Sequence, residues 1–166
     1  METLLLEALT TLQNAEPVAA LRASRWVYPL VNSAHITGLA LLFGAILPLD
    51  LRLLGVWRSV PLGLLARVLV PVAMAGLALA AATGFLLFSV SAAKYAATPL
   101  FLVKLALIAA AVANALMLRR SADWTLAQIP EMTAEPSGRL KTAGLLSLGL
   151  WLAVILCGRF LAYIIA

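Results

Sequence analysis

Among the polar residues inside the apolar runs of this chain, five stand toward one end of those runs: Asn32 and His35 in residues 26–49, Thr83 in 66–90, Lys104 in 99–118 and Arg159 in 143–165. An imidazole ligates metal or carries a proton, an amide and a hydroxyl bond in either sense, and two cations hold an anion. The set contains no carboxylate, which disfavours a cation or proton pathway built from Asp or Glu. It suits an anionic or redox ligand instead: haem propionates, a quinone carbonyl, a lipid phosphate, or a small carboxylate or inorganic anion. Haem b is the sharpest of these. His35 would ligate the iron through Nε2, Lys104 and Arg159 would hold the propionates, and Asn32 would accept from the other imidazole nitrogen. One histidine supplies one axial ligand, so a bis-histidine site requires a homodimer or a partner subunit. The competing reading is structural, with Lys104 and Arg159 reaching out to headgroups and His35, Asn32 and Thr83 bonding between helices.

The elements that position these groups follow from composition. Of 166 residues, 64% are hydrophobic and 11% charged, and mean hydropathy is +1.05; soluble domains are about half apolar and a quarter charged. A helix crosses the hydrocarbon core in about 20 apolar residues. The chain therefore reads as one all-α integral membrane domain, 1–166, a four-helix bundle with spans at about 26–49, 66–90, 99–118 and 143–165. Residues 2–14 read as an amphipathic helix lying at the interface, with Leu5, Ala8, Leu9 and Leu12 on one face. The segment is acidic and lacks the basic start of a secretory signal. At about 1.5 Å per residue, His35 is about 13 Å deep, Asn32 about 9 Å, Lys104 about 8 Å, Arg159 about 9 Å and Thr83 about 10 Å, all from one side of the membrane. The five are expected to share one stratum and to converge on one cavity.

The connections that would share the opposite side hold Arg52, Arg58, Arg67, Arg119, Arg120, Arg139 and Lys141, against Arg22, Arg25 and Lys94. By the positive-inside bias the richer loops are cytoplasmic and both termini face outward, which is the periplasmic side if the membrane is a bacterial inner one. The net charge of +5 belongs to lipid headgroups rather than nucleic acid, because the basic residues border apolar runs instead of forming a patch. Membrane lipids are the expected partners, with a homodimer or larger membrane complex the further expectation.

Gly76, Ala80 and Gly84 form a stripe of small residues that lets helices approach closely, to be met by Ala34 and Gly38 or by Ala40 and Gly44. Pro71 is expected in the first turn of its span. Asp50 is expected to cap a short helix over 51–57 or to pair with Arg119 or Arg120, with Asn114 bonding in the same cluster. Tyr95 and Lys94 read as interfacial anchors, and Cys157 as a small buried side chain. Residues 121–142 read as a solvated loop with some helix over 124–129. No phosphate loop, Ser-His-Asp set or paired carboxylates mark a soluble catalytic centre, and as an isolated chain the protein reads less as an enzyme than as a membrane subunit binding haem or another redox or anionic cofactor, with a small transporter or assembly partner as the alternative.

The runs HITGLALLFGAILPLDLRLLG, from His35 to Gly55, and TPLFLVKLALIAAAVANA, from Thr98 to Ala115, resemble an uncharacterised family of small bacterial four-helix membrane proteins. Trp26 and the pair Thr83-Gly84 extend the likeness over most of 26–118. The resemblance implies a bacterial origin and this fold, and no activity. A fainter likeness, a His followed by a Gly-rich apolar helix, points to copper-resistance D-type and cytochrome b561-type bundles. Those carry several helix histidines where this chain has His35 alone, so their haem does not transfer.

Overall fold

A computed structural model describes residues 2–129 and 135–165, which form eight helices and no strand. They are α1 (Glu2–Asn14), α2 (Glu16–Ala23), α3 (Val27–Leu53), α4 (Leu62–Val90), α5 (Ala92–Ala96), α6 (Pro99–Arg119), α7 (Ala122–Ala127) and α8 (Gly138–Ile165). Four of them, α3, α4, α6 and α8, are long and apolar enough to cross a membrane.

Local chemistry sets several of the boundaries. Pro99 opens α6 after an extended Thr98, a position where the missing N–H costs no helical bond. Ser121 starts α7 by accepting from the Trp124 amide at 3.2 Å. Pro17 in the first turn starts α2, where Glu16 also complements the helix dipole.

Other boundaries differ from the expectations. Helix α3 runs through Pro48 and Asp50 to Leu53 rather than ending at 49, so Asp50 caps no helix. Helix α4 starts at Leu62, which puts Pro71 well inside it instead of in its first turn. Helix α8 begins at Gly138, taking in residues assigned to the preceding loop. Residues 130–134, the middle of that loop, lie outside the described residues.

The long helices pack in the order α4, α3, α8, α6, with α3 on α4 the most extensive contact and α6 on α8 the next. Glycine explains the first. A Cβ on Gly38 would lie 2.7 Å from the Ala80 nitrogen, and one on Gly76 2.5 Å from the Leu42 nitrogen, so these backbones touch. Gly44 would meet nothing within 4 Å, which selects the Gly38 face of α3 over the Gly44 face.

Two apolar clusters fill the interior. Leu42, Ala111, Trp151 and Val154 join α3, α6 and α8, which is why Trp151 sits in mid-span rather than at an end. Leu53, Leu62, Ala66, Trp124 and Leu140 close the side bearing the 54–61 turn and α7. That side carries the basic connections and is called the basic side below; α1, α2 and α5 lie on the amino-terminal side. The outer faces are apolar, with Leu64, Val68, Phe85, Leu102, Leu145 and Leu156 all exposed, as a lipid-facing surface requires.

On the amino-terminal side α1 packs on α5 and α2 on α4. The Phe88 and Phe101 rings stack at 5.2 Å with Tyr95 tilted against both. Burial, and secondarily the nearby Tyr28, pushes the Tyr95 phenol above its ordinary 10.0. On the basic side the buried Arg52 organises the turn: its Nε donates to the Val60 carbonyl at 2.7 Å and its Nη2 to the Arg58 carbonyl at 3.3 Å. Arg58 in turn pairs with Glu135 at 2.6 Å on the exposed surface.

Candidate functional site

His35 projects from α3 toward α4, where its Nδ1 lies 3.1 Å from the hydroxyl of the buried Thr83. That hydroxyl donates its proton to the Leu79 carbonyl one turn back, at 2.6 Å. With the proton committed there, Thr83 Oγ1 faces the imidazole as an acceptor. Hydrogen-bond consistency therefore places the imidazole proton on Nδ1 and leaves Nε2 bare.

The small residue below the ring is part of the same fit. A Cβ on Gly84 would stand 3.0 Å from His35 Cε1, so the stripe that brings the backbones together at Gly76 makes room for the imidazole two turns later. The half-buried ring thus fills a gap left by a glycine.

Lys104 reaches the same region from α6. Its Nζ would lie 3.4 Å from a Cβ on Gly158, so the ammonium rests on α8 where that helix lacks a side chain. Its charge acts on His35, and the residue beside Gly158 is the half-buried Cys157. No carboxylate pairs with Lys104 among the described residues. A small-residue gap therefore receives each of the two ionisable side chains.

The other two expected members point elsewhere. Asn32 is exposed and makes no hydrogen bond among the described residues, so the acceptor for His35 is Thr83 rather than Asn32. Arg159 is exposed and lies over the Tyr163 ring of its own helix, 5.0 Å from the centroid, with Nη2 3.5 Å from the phenol oxygen. The structure thus brings His35 to Thr83 through a hydrogen bond and Lys104 within electrostatic range of His35, and leaves Asn32 and Arg159 apart from them.

The basic side holds a feature that the residue pattern did not disclose. A cavity of about 260 Å³ lies between α3, α4, α6 and α8, and Asp50, Ser147 and Asn114 are part of its wall. Asp50 neither caps a helix nor pairs with an arginine. It is 4% exposed, the Ser147 hydroxyl lies near the carboxyl, and Oδ2 has no partner among the described residues. The reason is the close approach of α8: a Cβ on Gly144 would meet the Asp50 carbonyl at 3.1 Å, so α8 covers this part of α3. Asn114 donates to the Ala143 carbonyl at 2.9 Å and so ties α6 to α8 beside the cavity. Among the described residues no three His, Cys, Asp or Glu side chains group as metal ligands.

Comparison with protein-family models, with curated proteins and with solved structures finds no match.

Proposed function

We propose that this chain is a non-catalytic, multi-pass protein of the bacterial inner membrane that binds an anionic group, a lipid phosphate above all, at Lys104 beside His35. The observation that carries this reading is the Lys104 ammonium, partly buried against Gly158 with no carboxylate pairing with it among the described residues. A cation placed so close to a bundle interior is normally matched by an anion, and where the protein supplies none a bound one completes it. Lys104 lies in the second turn of α6, within reach of headgroups on the amino-terminal side. His35, bonded at Nδ1 by Thr83, can only accept at Nε2 while neutral, and so complements a donor on the same ligand.

Native mass spectrometry of detergent-purified protein tests the reading. Phosphatidylglycerol should be retained about tenfold more strongly than phosphatidylcholine, inorganic phosphate should compete weakly, and Lys104→Gln should abolish the preference. Equal retention of the two lipids by the unsubstituted protein would overturn it. The orientation that goes with it has both termini periplasmic. In a Cys157→Ala background, cysteines at Ser59 and Ser137 should resist an impermeant reagent in intact cells while one at Thr10 reacts, and the opposite pattern would reverse it.

A second reading, haem b on His35, draws support from one observation: the bare Nε2, held in orientation through Nδ1 as axial imidazoles are. The remaining donor set fits it less well, because Arg159 lies on Tyr163 and only Lys104 is near for a propionate. An absorption spectrum decides. A Soret band lost in His35→Ala and weakened in Lys104→Ala supports haem; a colourless preparation from haem-sufficient cells, unchanged by added hemin, rejects it.

A further inference from the structure

We propose that the cavity on the basic side is a second binding site, taking an apolar molecule that carries a hydroxyl group, with Asp50 as the residue that recognises the hydroxyl. Four observations build the site. Its walls are mostly hydrocarbon, with Leu42, Ile46, Leu77 and Trp151 among them, so the body of the ligand is apolar. Asp50 lines the same space, is more than nine-tenths buried, and has an oxygen left unbonded among the described residues. A buried polar atom without a partner is costly, and such an atom in a cavity wall marks where a ligand's polar group belongs.

The neighbouring polar groups leave that oxygen unmatched. Asn114 spends an amide proton on the Ala143 carbonyl, and the Ser147 hydroxyl faces the Asp50 carboxyl itself. Arg119, at the edge of the cavity, contacts the Met74 sulfur at 3.7 Å and does not reach the carboxyl as an ion pair.

The entry route agrees with an apolar ligand. Helices α4 and α6 make little contact with each other, unlike α4 with α3 or α6 with α8, and Arg119 of α6 meets Met74 of α4 across that gap. Both residues are exposed, so this is where the cavity faces the surroundings of the helices, which for spans of this kind is lipid.

The choice of a hydroxyl rests on hydrogen-bond bookkeeping. A hydroxyl donates to a carboxylate and accepts from a carboxylic acid, so it satisfies Asp50 in either protonation state. An ammonium only donates, which leaves the O–H of the protonated form unmatched, and a carbonyl only accepts, which leaves the ionised form without a donor.

Trp124 and Trp151 both line the cavity and are buried, which gives the test its signal. The full chain in mild detergent is titrated with a brominated alkylphenol, and in parallel with the corresponding bromoalkylbenzene and bromoalkylamine, and quenching of tryptophan fluorescence is followed. The phenol should quench saturably and about tenfold more tightly than the alkylbenzene or the amine. Asp50→Leu should bring the phenol down to the alkylbenzene. Ala73→Leu, which fills the cavity wall while leaving Asp50 in place, should weaken phenol and alkylbenzene alike, and it keeps the test open if Asp50→Leu fails to fold. Equal affinity of phenol and alkylbenzene in the unsubstituted chain would overturn the proposal, as would a preference for the amine or a phenol preference that survives Asp50→Leu.

Discussion

At Gly38 and Leu42, α3 meets α4 backbone to backbone, and the polar groups that follow toward the amino-terminal side are paired: His35 with Thr83, Thr83 with Leu79. On the basic side, α4 and α6 stand apart, a cavity remains, and Asp50 keeps an oxygen unpartnered among the described residues. The two regions are built from the same apolar, small-residue-rich helices. Their difference lies in where a glycine faces another helix. When backbones touch, a side chain one turn away is brought within hydrogen-bonding range of the partner helix and a polar residue finds its match internally. When helices part, the same polarity is left for something else to satisfy.

That contrast breaks first at its tightest point. Gly38→Leu should cost about 3 kcal/mol, because the new side chain meets Ala80 and Gly76 backbone that cannot move aside. Gly44→Leu, on the same helix with open space before it, should change stability by less than about 0.5 kcal/mol. Reversible unfolding in detergent measures both, and similar losses at the two sites would mean that the α3–α4 contact is not glycine-limited.

Next comes the α6–α8 tie beside the cavity. Asn114→Ala removes the bond to the Ala143 carbonyl and should cost about 1 kcal/mol in the same assay. Thr83→Val, nearly the same shape without the acceptor, should cost about 0.6 kcal/mol, the average for a side-chain hydrogen bond between membrane helices. A Thr83→Val loss larger than that of Gly38→Leu would make the polar contact, and not the backbone approach, the dominant tie between α3 and α4.

The smallest effect is a pH dependence at Tyr95, on the periphery of the packed region. Burial raises its folded pKa above the ordinary 10.0, so above about pH 10 the unfolded chain gives up this proton before the folded one does. The folded state then holds more protons, and stability falls as pH rises through the folded pKa; below about pH 10 the contribution is fully present. Phenolate absorbance should show one tyrosine titrating above 10, and Tyr95→Phe should remove that step together with its share of the alkaline destabilisation.

Much of this was legible in the residues themselves. Uninterrupted apolar runs place the four long helices, and the stripe of Gly76, Ala80 and Gly84 marks the face of α4 that α3 uses. Depth sets Thr83 level with His35, but the acceptor expected for the imidazole is Asn32, and the structure gives Thr83 instead. What pattern alone did not settle is azimuth. Depth sets Asn32 and Arg159 level with His35, but only the rotation of each helix shows that they face outward. Asp50 was misread for a related reason. Its place after Pro48 resembles a helix boundary, whereas α3 continues because the packing of α8 at Gly144 holds that segment helical. The short helices α2 and α5 carry too few residues for periodicity to reveal them.

The paired region is organised around one imidazole, and the chain has a single histidine, so its nitrogen spectrum is free of overlap. Nitrogen-15 NMR of histidine-labelled protein in lipid, at a pH where the ring is neutral, reads the tautomer directly. The account predicts a protonated Nδ1 coupled to the Thr83 contact and an unprotonated Nε2, with the Nδ1 resonance shifting in Thr83→Val. A neutral ring protonated at Nε2, indifferent to Thr83→Val, would contradict it.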